Sequence, residues 1–172
     1  MNQLFQVIKP EELNENVFKL IGKDWMLITA GNKEKFNTMT ASWGGLGILW
    51  NKKVCFCFIR PNRYTYEFME NENTFTLSFL EEKYREVLRF CGSNSGRDVD
   101  KIATTGITPI ESIHGSVYFE EAKLVMECRK IYTQDLSPES FVEPELEKNY
   151  NGQDYHRLYI GEIIDCYLKE NE

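Results

Sequence analysis

The 172-residue chain has only two histidines, His114 and His156, and five cysteines, with no repeated short spacing of the kind that holds a metal. No metal centre is expected on that basis, and the odd cysteine count fits reduced thiols in the cytosol rather than a disulfide framework. Long apolar runs are also missing. Leu46 to Trp50 and Val54 to Ile59 are among the longest, far short of the roughly 20 residues a membrane-crossing helix needs. The N-terminus has no basic-then-apolar leader pattern, so the expected location is cytoplasmic, with no membrane partner. Positive charge is in deficit, 20 Lys and Arg against 27 Asp and Glu, a net charge of −7. That disfavours general nucleic-acid binding, which draws on a broad basic face. No G-x-G-x-x-G occurs, which excludes a dinucleotide-binding unit of the Rossmann kind. No repeat or low-complexity linker divides the chain, so residues 1–172 read as one domain with one core.

What is present is an ordinary globular composition whose apolar residues recur at strand and helix periods. Pro10, Glu11 and Glu12 form a first helical turn, and Leu13, Val17, Leu20 and Ile21 an apolar stripe that Gly22 ends. Trp25 to Ala30 and Lys35 to Trp43 read as strands around a hairpin at Gly31-Asn32-Lys33. Gly44-Gly45-Leu46-Gly47 is expected to break the chain direction. Val54 to Ile59 is a buried strand, Tyr64 to Glu70 a helix, and Thr74 to Leu80 a strand with Phe75, Leu77 and Phe79 on its core face. Tyr84, Val87, Leu88 and Cys91 mark a short amphipathic helix, and Val99 to Thr105 a helical turn or two ended by Gly106. Ile113 to Ile131, broken near Glu120-Glu121, and Tyr155 to Leu168 supply the remaining strands. Residues 136–152 are a helical excursion or an exposed loop. The order predicts a mainly β, α+β domain: an antiparallel barrel-like sheet with flanking helices.

Three polar segments could carry function, and each has two readings. Arg60-Pro61-Asn62-Arg63-Tyr64-Thr65 sits at a strand-to-helix turn. There two guanidinium groups, the Thr65 hydroxyl and the free N–H groups of a helix start could converge on a phosphate; alternatively, they are solvated loop charges. Thr38, Thr40 and Ser42 share one strand face opposite Met39, Ala41 and Trp43, either a hydroxyl stripe for a planar ligand or a wet edge. Ser93 to Asp98, with Gly96 and Arg97, is an anion nest or a polar loop.

Taken together, Asn37 to Trp43, Arg60 to Tyr66, Ser95-Gly96-Arg97-Asp98 with Lys101, and His156-Arg157-Leu158-Tyr159-Ile160-Gly161-Glu162 resemble, in order, the motifs of the flavin reductase-like, FMN-binding split-barrel family. The resemblance covers the chain from about Trp25 to the last strand, apart from residues 136–152. It implies a split barrel, bound FMN, and flavin-mediated hydride or electron transfer. The alternative it offers is a flavoredoxin-like electron carrier without nicotinamide-dependent turnover. By the same resemblance Thr38, Met39, Thr40, Ala41, Ser42 and Trp43 border the flavin ring, and Arg60 lies beside it. Arg63, Tyr64 and Thr65 hold the phosphate or ribityl chain, and Ser95, Gly96, Arg97 and Lys101 add phosphate contacts. His156 either orients flavin or nicotinamide or is a structural residue. The implied partners are a second copy of the chain, with flavin near the interface, and a small-molecule or protein redox partner. NADH or NADPH, if it is the donor, would stack directly on the flavin.

Overall fold

Strand-forming segments dominate the computed structural model, which describes residues 4–170. In chain order the described elements are β1 (Phe5–Ile8), α1 (Val17–Lys19), β2 (Met26–Gly31), β3 (Phe36–Ala41), β4 (Gly44–Leu49), β5 (Lys52–Ile59), α2 (Tyr64–Asn71) and β6 (Thr74–Leu80). There follow α3 (Arg85–Ser93), α4 (Lys101–Thr105), β7 (Pro109–Glu111), β8 (Val117–Phe119), β9 (Ala122–Asp135), α5 (Pro144–Glu147) and β10 (Arg157–Lys169). The main sheet is antiparallel in the order β3-β2-β6-β9-β10-β5-β4. Its centre is the long β9–β10 pair. β10 holds β5 along its first half and β1 along its last four residues, Cys166 to Lys169. The sheet's two edges, β3 and β4, are joined only through Ser42 and Trp43. That link spans at most about 11 Å, so the edges lie near each other, yet no ladder joins them. The sheet is therefore a curled, split barrel, as expected. No described helix is long and apolar enough to cross a membrane.

Two apolar clusters hold the sheet from its two faces. Met26, Ile28, Cys55, Cys57, Phe75, Leu77, Phe79, Met126 and Tyr159 fill the inside. Leu27, Leu88, Cys91, Tyr118, Phe119, Val125 and Tyr167 pack beneath α3 and the β7–β8 hairpin. Each fully buried large side chain contributes roughly 1.5–3 kcal/mol. Burial on both faces explains why β2 reads as an unbroken run. It also extends the reading of β6, whose second face is covered too: Thr76 and Ser78 are fully buried, and the Thr76 hydroxyl donates to the Val117 carbonyl at 2.5 Å.

Four local expectations change. The single helix from Pro10 is two pieces, a 3-10 turn at Pro10–Glu12 and the short α1, which widens into a π-turn at Leu20–Asp24. Asn16 is the reason: its side chain accepts from the Lys19 N–H at 3.1 Å and starts a new helix. Gly22 lies inside that π-turn, and the chain turns at Trp25, with φ of 68°. The Gly44 to Gly47 stretch is not a break but strand β4, paired along β5. A Cβ on Gly44 would stand 2.6 Å from the Phe56 carbonyl oxygen, so glycine there permits close pairing. Strand β3 ends at Ala41, leaving Ser42 and Trp43 in the crossover.

Candidate functional site

Pro61 fixes the turn between β5 and α2, with the Arg63 N–H donating to the Arg60 carbonyl at 3.0 Å. Arg63 then occupies the N-cap with extended backbone and no side-chain cap. The first N–H groups of α2 have no acceptor within the helix, which leaves a partial positive charge at this end. The Arg63 guanidinium donates to the Gly92 carbonyl at 3.2 Å. Beside it, the Thr65 hydroxyl accepts from the Asn37 amide at 2.7 Å.

Lys101 approaches the same place from α4, which Asp100 caps by accepting from the Ile102 and Ala103 N–H groups. Its side chain is 6% exposed and donates to the Thr38 carbonyl at 2.7 Å and the Cys91 carbonyl at 2.8 Å. Two of its three ammonium protons are thus committed and one is left. Burial lowers the Lys101 pKa, and the Arg63 charge lowers it further. Among the described residues neither Arg63 nor Lys101 has a carboxylate within ion-pair distance.

These groups line one cavity of about 390 Å³ together with Asn37, Met39, Asn62, Tyr64, Thr65, Cys91, Asn94, Ser95 and Gly96. The fold therefore brings together Met39, Arg63, Tyr64, Thr65, Ser95, Gly96 and Lys101 from three separate segments. Of the rest, Thr38 and Arg97 line an adjoining cavity and the others line neither. Thr38 bonds through its hydroxyl to Thr29 at 2.9 Å, and Thr40 donates to the Leu88 carbonyl at 2.6 Å. Two of the three hydroxyls of the stripe, those of Thr38 and Thr40, are thus spent on protein partners, a correction to their reading as a ligand surface. Arg97 pairs with Glu67, lies over the Tyr64 ring at 4.9 Å and lines an adjoining cavity of about 570 Å³. Ala41, Ser42 and Trp43 do not line either cavity.

The two arginines of the turn also part company. Arg60 points away from the cavity, donating to the Asn149 carbonyl at 2.7 Å with its guanidinium 5.0 Å over Tyr150. Convergence of both forks on one anion is therefore corrected: Arg63 faces the cavity, and Arg60 anchors the 136–152 excursion. Asp154 supports this arrangement by accepting from the Asn62 N–H at 3.1 Å. Asn37, Asn62, Cys91 and Asn94 line the cavity but were not among the predicted site residues. Nothing local in the sequence marks Cys91, which is an apolar position of α3.

His156 belongs to the Arg60 side. Its Nδ1 lies 2.8 Å from the Tyr150 hydroxyl, and its ring stands 5.3 Å from Trp43 and 6.5 Å from Phe58. Burial, reinforced by the Arg60 charge, pushes its pKa down to about 4. The imidazole is therefore neutral at pH 7. Because the folded pKa lies below the unfolded value near 6.5, the unfolded chain binds the extra proton between these limits, and stability falls as pH drops from 6.5 toward 4. The expected loss at pH 4.5 is on the order of 2 kcal/mol. Denaturant titrations at pH 7 and 4.5 should show that His156→Gln removes this part of the acid sensitivity; an unchanged difference would exclude His156 as its source.

Sheet and cavity together define a split-barrel protein with a cationic pocket at a strand-to-helix turn. The chain belongs to the flavin reductase like domain family, which it matches over residues 19–172. The chain is similar to many solved structures, three among them the following. Flavoredoxin from Methanosarcina acetivorans is 22% identical, with a TM-score of 0.69 over 95% of this chain and 77% of that one. An FMN-binding domain of a flavin reductases-like enzyme from Shewanella baltica OS155 is 17% identical, with a TM-score of 0.70 over 96% and 77%. The NADH:FAD oxidoreductase of Streptomyces globisporus C-1027 is 17% identical, with a TM-score of 0.63 over 83% and 74%. At these identities the likeness establishes the fold. No curated protein matches the sequence.

Proposed function

We propose that the 390 Å³ cavity receives the phosphate end of FMN and that the protein is an oxidoreductase of flavin reductase type. The observation that carries this reading is the pair Arg63 and Lys101, two cations on one cavity with no carboxylate ion-pair partner among the described residues, one of them buried. Holding like charges together in a partly dry site is costly until an anion arrives, and a phosphate monoester carries nearly two negative charges. Gly96 supports the fit, because its missing Cβ leaves the loop against Asn37 and Tyr64. Membership of the family and the FMN-binding description of a structural neighbour support the same ligand.

In this reading Arg63, the spare proton of Lys101, the Ser95 hydroxyl and the first N–H groups of α2 hold the phosphate. Asn37 fixes Thr65, and with it the start of the helix. Bound flavin supplies a ring that accepts a hydride and passes electrons on. His156 is neutral at pH 7 and not poised as a proton donor there; it packs with Trp43 and Tyr150. The reading includes a homodimer, for which the half-exposed Trp43 and Trp50 and the exposed Ile48 near the open β4 edge offer apolar surface. It also includes cytoplasmic location and NADH or NADPH as donor.

Removing the Arg63 guanidinium is expected to weaken FMN binding by roughly 1.5–3 kcal/mol with the fold intact, the scale of one charge-assisted hydrogen bond. Fluorescence titration of Arg63→Ala with FMN measures this, and unchanged affinity would remove Arg63 from the site. Flavoredoxin neighbours favour a second reading, an electron carrier. Steady-state oxidation of NADH and NADPH with added free FMN separates the two: multiple turnovers support the reductase, whereas retained flavin without turnover supports the carrier.

A further inference from the structure

We propose that His114, Glu127 and Asp165 form a binding site for a divalent cation of the zinc class, on the face of the sheet covered by the β7–β8 hairpin. Spacing in the sequence gives no hint of it; the fold makes the juxtaposition. Glu127 on β9 and Asp165 on β10 are direct cross-strand partners beside a register shift. Like charges in that relation destabilise a sheet. Glu127 is also fully buried, and taking a carboxylate out of water costs several kcal/mol unless positive charge or a proton compensates.

No described lysine or arginine supplies that compensation. The hydrogen-bond partner of Asp165 is His114, whose Nε2 lies 2.8 Å from its carboxylate. The two oxygens of Glu127 accept hydrogen bonds from two neutral hydroxyls, Ser112 on one and Tyr167 on the other, the latter at 2.7 Å. One ligand atom from each of His114, Glu127 and Asp165 lies within 4.8 Å of the others; ligands on a tetrahedral ion with bonds of roughly 2.1 Å stand about 3.4 Å apart, so the set closes by at most about 1.4 Å to hold one. The 2.8 Å between His114 Nε2 and the Asp165 carboxylate is a hydrogen bond, which an ion entering between the two would replace.

The surroundings fit the role. Ser112 and Tyr167 stand behind Glu127 and fix its carboxylate, as hydrogen-bond donors do for metal-ligating acids. His114 is 43% and Asp165 24% exposed in their side chains, which leaves an approach from solvent. One nitrogen and two carboxylates suit zinc or a neighbouring first-row ion better than calcium, which takes oxygen ligands. A bound ion would tie the Ser112 to Gly115 turn to β9 and β10.

The test uses the whole protein, freed of metal with a chelator and titrated calorimetrically with Zn2+. One equivalent should bind and raise the thermal midpoint. His114→Ala and Asp165→Asn should each weaken binding at least tenfold and abolish that rise. Co2+-loaded protein should show visible d–d absorption that His114→Ala loses. Absence of stoichiometric binding to the unaltered protein would overturn the proposal, as would undiminished binding with the same Co2+ spectrum in both variants.

Discussion

Replacing Lys101 with methionine is expected to lower FMN affinity by about 2–5 kcal/mol, the cost of deleting one partner of a buried charge pair, which is roughly thirtyfold to several thousandfold. Methionine keeps most of the apolar stem and removes the ammonium. Riboflavin supplies the control, since it carries the ring and ribityl chain without the phosphate. Its affinity should change by no more than about threefold, because Lys101 reaches the site as a charge, not as a ring contact. Fluorescence titrations with both flavins read the difference directly. Equal losses for FMN and riboflavin would mean that Lys101 only holds the loop, through the Thr38 and Cys91 carbonyls, and the phosphate assignment would fall. Folding stability should also decline, since two buried carbonyls lose a donor at about 1–3 kcal/mol each, partly offset by relief of a buried charge.

Lys101 also marks the limit of what the sequence made legible. Elements governed by short-range period were readable: Phe75, Leu77 and Phe79 alternate and lie on one face of β6, and Tyr64 and Phe68 share a face of α2 with rings 5.1 Å apart. The order of motifs carried the split barrel. What the sequence left open depended on partners distant in the chain. β1 has little turn signal of its own and exists because β10, far along the chain, offers an unpaired edge to Phe5–Ile8. Lysine in the first turn of a helix ordinarily faces water, and nothing nearby in the chain announces that Lys101 is buried against two carbonyls. Arg60 and Arg63 look equivalent three residues apart, but the excursion residues Asn149 and Tyr150 take the first and leave the second to the cavity. The His114, Glu127 and Asp165 cluster was invisible for the same reason, since it draws on a turn and two strands.

Gly96→Ala should be the most damaging of the small substitutions in the pocket. Its backbone is not in the left-handed region that favours glycine, so the demand is purely for space. A Cβ there would stand 1.9 Å from Asn37 Oδ1, 3.0 Å from its Cγ and 3.2 Å from Tyr64 Cδ1. Asn37 is buried and holds the Thr65 hydroxyl, so it has no free direction in which to yield. Overpacking of this kind costs about 1–3 kcal/mol, and the lost Asn37 to Thr65 hydrogen bond about 1 kcal/mol more. FMN affinity should fall ten- to a hundredfold as the Ser95–Gly96 loop moves off the start of α2. A double-mutant cycle isolates the cause: in an Asn37→Ala background the severe contact is gone and Tyr64 Cδ1 at 3.2 Å is the close neighbour left, so Gly96→Ala should then cost at least 1 kcal/mol less, in stability and in FMN binding alike. Strictly additive costs would show that Gly96 is needed for some other reason than the room that Asn37 occupies. The coupling matters beyond the pair, because Asn37 is the side chain through which β3 reaches both the helix start and the glycine loop.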